Sequence, residues 1–190
     1  AQIVPEPPSR IPAPLPPPAV LPRVTVQLPI FNEMYVTDRL IGAVCDLDYP
    51  RELLEIQVLD DSTDETKDIA ELAVRRHAAR GFDIKYIHRT DRTGFKAGAL
   101  EVGLRQARGE FIAIFDADHA PKRTFLTRTL GFFSDRKVAF VQTPQDFYNL
   151  DSFQHRWKRG STKLWTEQSL FFRVIQRGKD YWNAAFFCGS

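Results

Sequence analysis

Two stretches decide the fold, and each passes from apolar residues into paired acids: Leu54-Glu55-Ile56-Gln57-Val58-Leu59-Asp60-Asp61 and Phe111-Ile112-Ala113-Ile114-Phe115-Asp116-Ala117-Asp118. Short runs of this kind predict β-strands that end at the acids. The second run is apolar throughout, which is typical of a strand covered on both faces in a parallel sheet. Ligands of open α/β sheets bind beyond the carboxyl ends of the strands. The sequence therefore predicts a ligand site where the two acidic pairs meet.

Strands and helices alternate on either side of these stretches. Further strands are predicted at residues 24–29, 82–88 and 138–141. Helices are predicted around residues 36–44, from a capping box of Ser62 and Glu65 to a stop at Gly81, and at 96–107 and 125–133. This alternation predicts an α/β fold with a mostly parallel sheet and helices on both faces.

The composition limits which classes of protein are possible. The 190 residues are 43% apolar and carry a net charge of +2, which is typical of one globular domain and argues against a nucleic-acid binder. No apolar run is long enough to span a bilayer. The two cysteines, Cys45 and Cys188, are too few for a disulfide scaffold.

The prolines are concentrated at the N-terminus. Residues 1–22 hold 9 of the 13 prolines, which predicts an extended linker, with the folded domain at residues 23–190. A spacer and a ligand for an SH3-like partner are both open interpretations of this linker.

The acidic strand ends carry the first chemical signal. Asp60, Asp61, Asp116 and Asp118 would repel one another at one edge unless a cation or a donor-rich ligand lay between them. Carboxylate oxygens suit Mg²⁺ or Mn²⁺, which are commonly shared with substrate phosphates. The alternative is a set of ordinary surface acids.

A second signal is the segment Arg92-Thr93-Gly94-Phe95-Lys96-Ala97-Gly98. Gly94 and Gly98 allow close backbone approach, and Lys96 places a positive charge at a helix start. These features suit a diphosphate, although an ordinary loop before a helix has the same pattern. The segment is neither a Walker A loop nor a dinucleotide fingerprint.

The last third of the chain is basic and aromatic. Residues 153–177 have helical spacing and an excess of Lys and Arg, which indicates either a helix against anionic lipid or a helix packed on the sheet. Residues 183–187 predict another strand, and the aromatic pair Phe186-Phe187 suits either a sugar-stacking surface or the core.

Taken together, these motifs resemble processive family-2 glycosyltransferases of the cellulose synthase and cellulose synthase-like type. The resemblance covers roughly residues 24–190, and six motifs carry it in the order of the family: Gln27-Leu28-Pro29-Ile30-Phe31-Asn32-Glu33, Asp60-Asp61-Ser62, Gly94-Phe95-Lys96-Ala97-Gly98, Phe115-Asp116-Ala117-Asp118-His119, Val141-Gln142-Thr143-Pro144 and Phe186-Phe187-Cys188-Gly189-Ser190. It implies a GT-A fold, a UDP-sugar donor such as UDP-glucose, a glycan acceptor, and Mg²⁺ or Mn²⁺.

The resemblance also implies roles for individual residues. The donor would be bound by Pro29, Asp60, Asp61, Lys96 and Asp116, with Asp61 at the uracil and Lys96 at the diphosphate. The metal would be held by Asp118 and Asp116. The acceptor would lie against Gln142, Thr143, Pro144, Phe187, Cys188, Gly189 and Ser190.

The implied reaction is an inverting hexose transfer to a growing β-linked polysaccharide. In this family the catalytic base is the Asp of a T-E-D motif that follows the F-F-C-G-S segment, so we expect no catalytic base among these residues. Family members also have flanking membrane helices and a later Q-x-x-R-W motif. We therefore expect an incomplete GT-A domain from a longer protein at the cytoplasmic face of the cell membrane.

Other interpretations stay open at this point. Gln145 stands where many cellulose synthases have His, so another β-glycan such as mannan is an alternative product. A non-catalytic module that binds nucleotide sugars is the main rival to an enzyme. A haloacid-dehalogenase-type phosphotransferase fits less well, because His119-Ala120 follows the second Asp where that class has Thr or Val. A nucleotidyltransferase would carry a Gly-rich signature that residues 24–33 lack.

Overall fold

The computed structural model describes residues 16–143. These contain four strands, β1 (Val24–Ile30), β2 (Leu54–Asp60), β3 (Asp83–His88) and β4 (Phe111–Ile114), and four helices, α1 (Met34–Cys45), α2 (Thr66–Ala79), α3 (Phe95–Leu104) and α4 (Phe125–Thr129). Short 3₁₀ turns, Arg51–Leu53 and Leu130–Ser134, precede β2 and follow α4. The chain divides into two units at Val141, and the second unit begins at Gln142.

The four strands form one parallel sheet in the order β3-β2-β1-β4. In register, Val24 lies opposite Leu54 and Ile30 lies opposite Asp60. The predicted mostly parallel α/β sheet is thus confirmed, and the carboxyl ends of β1, β2 and β4 lie at one edge.

One face of the sheet is apolar and carries the core. Alternate strand residues point to this face, where they pack with α1 and α2. The cluster is completely buried at its centre: Val24, Val26, Leu28, Ile56, Val58, Leu40, Ile41, Val44 and Ala70. Burial of aliphatic side chains of this size contributes roughly 1.5–3 kcal/mol each, so this face supplies most of the driving force.

The opposite face of β1 and β2 is polar although it is buried. Thr25 donates a hydrogen bond to Glu55 over 2.7 Å, and Gln27 donates one to Gln57 over 3.0 Å. Burial by itself would raise the pKa of Glu55, but hydrogen bonds from Lys85, Arg108 and Thr25 lower it to about 2. The carboxylate therefore stays ionised in the interior.

Helix α3 packs on this polar face. A β-carbon added at Gly103 would lie 2.6 Å from Nε2 of Gln27 and 2.8 Å from Oε1 of Gln57, so a larger residue there would displace the two side chains and disturb their hydrogen bond. With α1 and α2 on one face and α3 on the other, the prediction of helices on both faces is confirmed.

Three local predictions are wrong. Residues 138–141 form no strand in the described part of the chain, because no neighbouring strand pairs with them. Strand β4 is not covered on both faces, since it is an edge strand in the described sheet and Ile112 and Ile114 are 36% and 44% exposed. The Ser62–Glu65 capping box does not form, because α2 begins only at Thr66, whose N–H is bound by Asp64 over 3.0 Å.

The described chain enters the sheet directly after the last proline of the N-terminal stretch. The first strand begins at Val24, and the Tyr49 hydroxyl donates to the carbonyl of Pro22 over 2.5 Å. The linker role of residues 1–22 stays a prediction. Within residues 16–143, none of the helices is long and apolar enough to cross a membrane.

Candidate functional site

The site is built at the edge where β1, β2 and β4 end. The N–H of Asp61 donates to the carbonyl of Ile30 over 3.0 Å, so the chain after β2 stays against the end of β1. The N–H of Phe115 donates to Gln27 over 3.2 Å, which extends the contact of β4 with β1 by one residue. Both acidic pairs therefore follow strands that flank β1 and lie at the same edge of the sheet.

Asp60 is completely buried and both of its carboxylate oxygens accept hydrogen bonds from within the chain. The backbone N–H of Ser62 donates to Oδ1 over 2.8 Å, and the Tyr86 hydroxyl donates to Oδ2 over 2.6 Å. Burial, with this hydrogen bond and the charge of Asp60, raises the pKa of Tyr86 well above its usual range. Tyr86 is therefore a permanent donor that holds Asp60 in place.

The same turn explains why Ser62 does not cap α2. Its hydroxyl accepts a hydrogen bond from the N–H of Asn32 over 2.9 Å, which links the turn after β2 to the turn after β1. Asn32 has a φ of 53°, a conformation that Asn tolerates better than most residues. Ser62 thus connects the turns after β1 and β2 instead of starting a helix.

Asp61 forms a two-point ion pair with Arg89, which follows β3. Nε of Arg89 lies 2.7 Å from Oδ1, and Nη2 lies 2.5 Å from Oδ2. Nη2 also donates to the carbonyl of Phe95 over 3.0 Å, so the pair is joined to the start of α3. The hydrogen bond to Asp61 raises the pKa of Arg89 further. This ion pair fixes the carboxylate predicted to bind the nucleobase.

Lys96 lies in the first turn of α3 and contacts Asp116 through an ion pair. The turn before α3 is tight, since Gly94 has a φ of 76° and a β-carbon added at Gly98 would lie 2.1 Å from the carbonyl oxygen of Thr93. At these glycines the backbone therefore approaches itself closely, while the predicted contacts of this segment with a diphosphate stay predictions. Lys96 lies beside an acid that follows β4, a pairing that the sequence did not indicate.

Asp118 is the most exposed acid at this edge. Its side chain is 71% exposed and lies 2.8 Å from Nδ1 of His119. Within residues 16–143, no three His, Cys, Asp or Glu residues are grouped to hold a metal ion. Mg²⁺ commonly uses one or two carboxylates and completes its shell with phosphate and water. Asp116 and Asp118 fit a site of that kind.

Two functional candidates escaped the sequence analysis. Glu33 is half-buried, and burial together with the charges of Asp118 and Asp116 raises its pKa, so a fifth carboxylate lies near the acids after β4. Arg89 is the second residue that was missed. Both follow strands at the same edge, and that position is the signal that could have identified them.

Several predicted site residues stay predictions. Pro29 lies buried in β1 opposite Leu59, and Gln142 and Thr143 belong to the second unit. The remaining predicted acceptor residues, Pro144, Phe187, Cys188, Gly189 and Ser190, lie outside the described residues, as do the basic helix at 153–177 and the strand at 183–187.

Comparison with known proteins defines the class. A family model for glycosyl transferase family 2 matches residues 25–190. A solved structure, mannosyltransferase PcManGT from Pyrobaculum calidifontis in complex with GDP-Man and Mn²⁺, superposes with a TM-score of 0.60 at 36% identity, covering 70% of this chain and 39% of that chain. The parallel sheet with acids at its carboxyl edge is therefore a GT-A-type fold, and the chain belongs to glycosyltransferase family 2.

Two curated relatives indicate which group of the family the chain is most similar to among these comparisons. Glucomannan 4-beta-mannosyltransferase 9 of Arabidopsis thaliana is 44% identical over 135 residues, 68% of this chain and 25% of that protein. The UDP-forming cellulose synthase catalytic subunit of Pseudomonas fluorescens strain SBW25 is 38% identical over 171 residues, 89% of this chain and 22% of that protein. The chain thus spans about a quarter or less of the length of these relatives, and its similarity is to the cellulose synthase and glucomannan synthase group.

Proposed function

We propose that this chain is the donor-binding part of a β-glycan synthase that transfers a hexose from a nucleotide diphosphate sugar to a growing polysaccharide. The observation that carries the proposal is the arrangement at one sheet edge. Asp61 and Asp116 follow the strands on either side of β1, and each is paired there with a basic residue, Arg89 and Lys96 respectively. This edge is where open α/β sheets bind ligands, and the chain is a family-2 glycosyltransferase.

In this proposal, different residues at the edge bind different parts of the donor. Asp61, held by Arg89, would face the nucleobase, and Lys96 would contact the diphosphate. Asp116 and Asp118 would hold Mg²⁺ or Mn²⁺, which neutralises charge on the leaving nucleotide when it is bound. The manganese in the structure of the archaeal mannosyltransferase supports this assignment of the metal.

Glucose from UDP-glucose is our first candidate for the transferred sugar, in line with the UDP-forming cellulose synthase relative. Mannose from GDP-mannose is the second candidate. It is favoured by the 44% identity to a glucomannan mannosyltransferase and by the GDP-Man complex of the structural neighbour.

We further propose that these 190 residues bind donor without elongating a glycan. The resemblance places the catalytic base in a T-E-D motif, and Thr166-Glu167-Gln168 lacks the aspartate. A positioned base contributes about 10²–10⁴-fold to the rate. Binding without transfer would also describe a non-catalytic module, so chain elongation by a longer protein that contains the T-E-D segment separates the two possibilities.

Membrane association is part of the same proposal. We place the full protein at the cytoplasmic face of the cell membrane, because the synthase group that it resembles has flanking membrane helices. Binding of the 190-residue chain to anionic vesicles, compared with neutral vesicles, would test whether residues 153–177 add a direct contact.

The donor assignment is tested by calorimetric titration of the chain with UDP and GDP, each with Mg²⁺ and with EDTA. We expect binding that requires the metal, because Asp116, Asp118 and the diphosphate otherwise repel one another. Asp118→Asn should abolish the metal requirement and most of the affinity. Asp48→Asn is the matched control, since Asp48 pairs with Arg123 and is not among the acids at the carboxyl ends of the strands. Wild-type binding that is as tight in EDTA as in Mg²⁺, or metal-dependent binding that Asp118→Asn leaves unchanged, would contradict the assignment.

A further inference from the structure

Three basic residues of one short segment each reach the end of a different strand. Arg89 contacts Asp61 after β2, Arg92 lies over Phe31 after β1, and Lys96 contacts Asp116 after β4. The strands are neighbours in the order β2-β1-β4. The segment 89–96 therefore lays three positive charges across the carboxyl edge of the sheet, and Arg92 is at the middle strand.

Arg92 differs from the other two because the described part of the chain gives it no acidic partner. The central carbon of its guanidinium lies 3.3 Å from the centre of the Phe31 ring and 5.4 Å from that of Phe95. Its Nε is buried and has no hydrogen-bond partner among the described residues. A guanidinium keeps its charge and offers five N–H donors, and a buried donor without an acceptor is unfavourable. Arg92 is thus a cation whose acceptor is not supplied by residues 16–143.

The backbone around Arg92 holds it in this position. The N–H of Phe95 donates to the Arg92 carbonyl over 2.7 Å, and Phe95 has a φ of 48°. A positive φ is unusual for a bulky residue, and such strain is found where the surrounding structure enforces it, commonly at functional sites. Here it places the Phe95 ring beside Arg92, while that ring stays 67% exposed.

We propose that Arg92 binds the diphosphate of the donor, an inference that rests on the proposed function. Arg89 and Lys96 each have a carboxylate partner, Asp61 and Asp116, whereas Arg92 is the cation of segment 89–96 that no carboxylate of residues 16–143 neutralises, so its charge would add to that of Lys96 at the diphosphate. The planar guanidinium suits two-point hydrogen bonding to phosphate oxygens. Its place at the end of β1, between the nucleobase end at Asp61 and the metal end at Asp116, matches the middle of a nucleotide sugar.

The experiment compares diphosphates with nucleosides. The 190-residue chain and its Arg92→Ala variant are titrated with UDP and GDP in Mg²⁺ by calorimetry, and with uridine and guanosine by NMR. We expect Arg92→Ala to weaken binding of whichever diphosphate binds by about ten- to a hundred-fold and to leave its nucleoside unchanged. Arg92→Lys should recover part of the loss, since Lys keeps the charge and lacks the planar fork.

Arg105→Ala is the matched control, because Arg105 is exposed directly after α3 and pairs with Glu101. It should bind as wild type does. Unchanged diphosphate binding by Arg92→Ala, while wild type binds, would overturn this inference and leave the proposed function standing. An equal loss for nucleoside and diphosphate would also overturn it, in favour of a nucleobase contact or a structural role. Failure of wild type to bind UDP or GDP would overturn the proposed function and this inference together.

Discussion

The acidic pair after β2 and the acidic pair after β4 lie at the same edge of the sheet but differ in how their charge is neutralised. The side chains of Asp60 and Asp61 are 0% and 5% exposed; Asp60 has several partners within the chain, and Asp61 accepts two hydrogen bonds from Arg89. Asp116 and Asp118 are 24% and 71% exposed, and their recorded partners are Lys96 and His119. The first pair is closed to solvent and the second pair is open.

This difference separates two uses of the same residue type. A carboxylate that is buried with matched donors organises the turn around it, whereas an exposed carboxylate keeps oxygen lone pairs for a cation. Position at a strand end predicts that an acid lies in the site, but the neighbouring residues decide whether its carboxylate is held by the chain or open to a cation. The variants below test that division.

The largest effect on stability is expected at the buried pair, Asp60 and Asp61, which is called the closed end here, in contrast to the open end at Asp116 and Asp118. Arg89→Ala would leave Asp61 buried and unpaired, and breaking a buried ion pair in this way costs about 3–5 kcal/mol of stability. Asp118→Asn at the open end should change the free energy of unfolding by at most about 0.5 kcal/mol. Urea denaturation of both variants measures the contrast, and equal losses would show that the two ends do not differ as described.

A smaller loss is expected when one hydrogen bond to Asp60 is removed. Tyr86→Phe deletes the donor to Oδ2 and leaves the ring in place, which should cost about 1–3 kcal/mol because the acceptor is charged and buried. Tyr35→Phe is the control, since Tyr35 is 90% exposed and should tolerate the change. Thermal melts of the two variants give the comparison, and identical melting temperatures would argue against a structural role for Asp60.

The smallest effect is expected in the pH dependence, through Glu33. Burial and the charges of Asp118 and Asp116 raise its pKa above the ordinary value of 4.5. The folded chain then keeps a proton that the unfolded chain has released, so this contribution to stability is present below the unfolded pKa and is lost as pH rises through the folded pKa.

Glu33→Gln removes that titration. The stability of wild type relative to Glu33→Gln should fall as pH rises above the ordinary glutamate pKa of 4.5. Denaturant midpoints of the two proteins across that range provide the measurement. Parallel profiles of denaturant midpoint against pH would mean that the pKa of Glu33 is not raised by burial and by the charges of Asp116 and Asp118.

Much of the scaffold is predictable from the sequence because it depends on local periodicity. The apolar runs before Asp60 and Asp116 identify strands, and their alternation with helices identifies the parallel sheet and hence the edge that carries the site. The failed strand at residues 138–141 shows the limit of this reasoning, since a short apolar run becomes a strand only where another strand pairs with it.

The pairings within the site were not predictable in the same way. Asp61 with Arg89 joins residues 28 positions apart, and Lys96 with Asp116 joins residues 20 apart. No local pattern indicates which basic residue pairs with which acid, because the pairing depends on the position of β3 in the sheet and on how α3 packs against it. For the same reason, the sequence does not distinguish Arg92, which lacks an acidic partner among the described residues, from its paired neighbours Arg89 and Lys96.

The buried polar pairs under α3 also determine how β1 and β2 are aligned. On the apolar face, a slide of β1 along β2 by two residues would still bring Val24 opposite Ile56 and Val26 opposite Val58, and the mismatch there would be Leu28 opposite Asp60. On the polar face, the same slide would place Gln27 opposite Leu59 and separate Thr25 from Glu55, leaving buried hydrogen-bonding groups unmatched. The Thr25–Glu55 and Gln27–Gln57 pairs therefore help to select the observed alignment. That alignment brings the end of β1 level with Asp60, so the geometry of the edge that carries the candidate site is specified by contacts in the middle of the sheet.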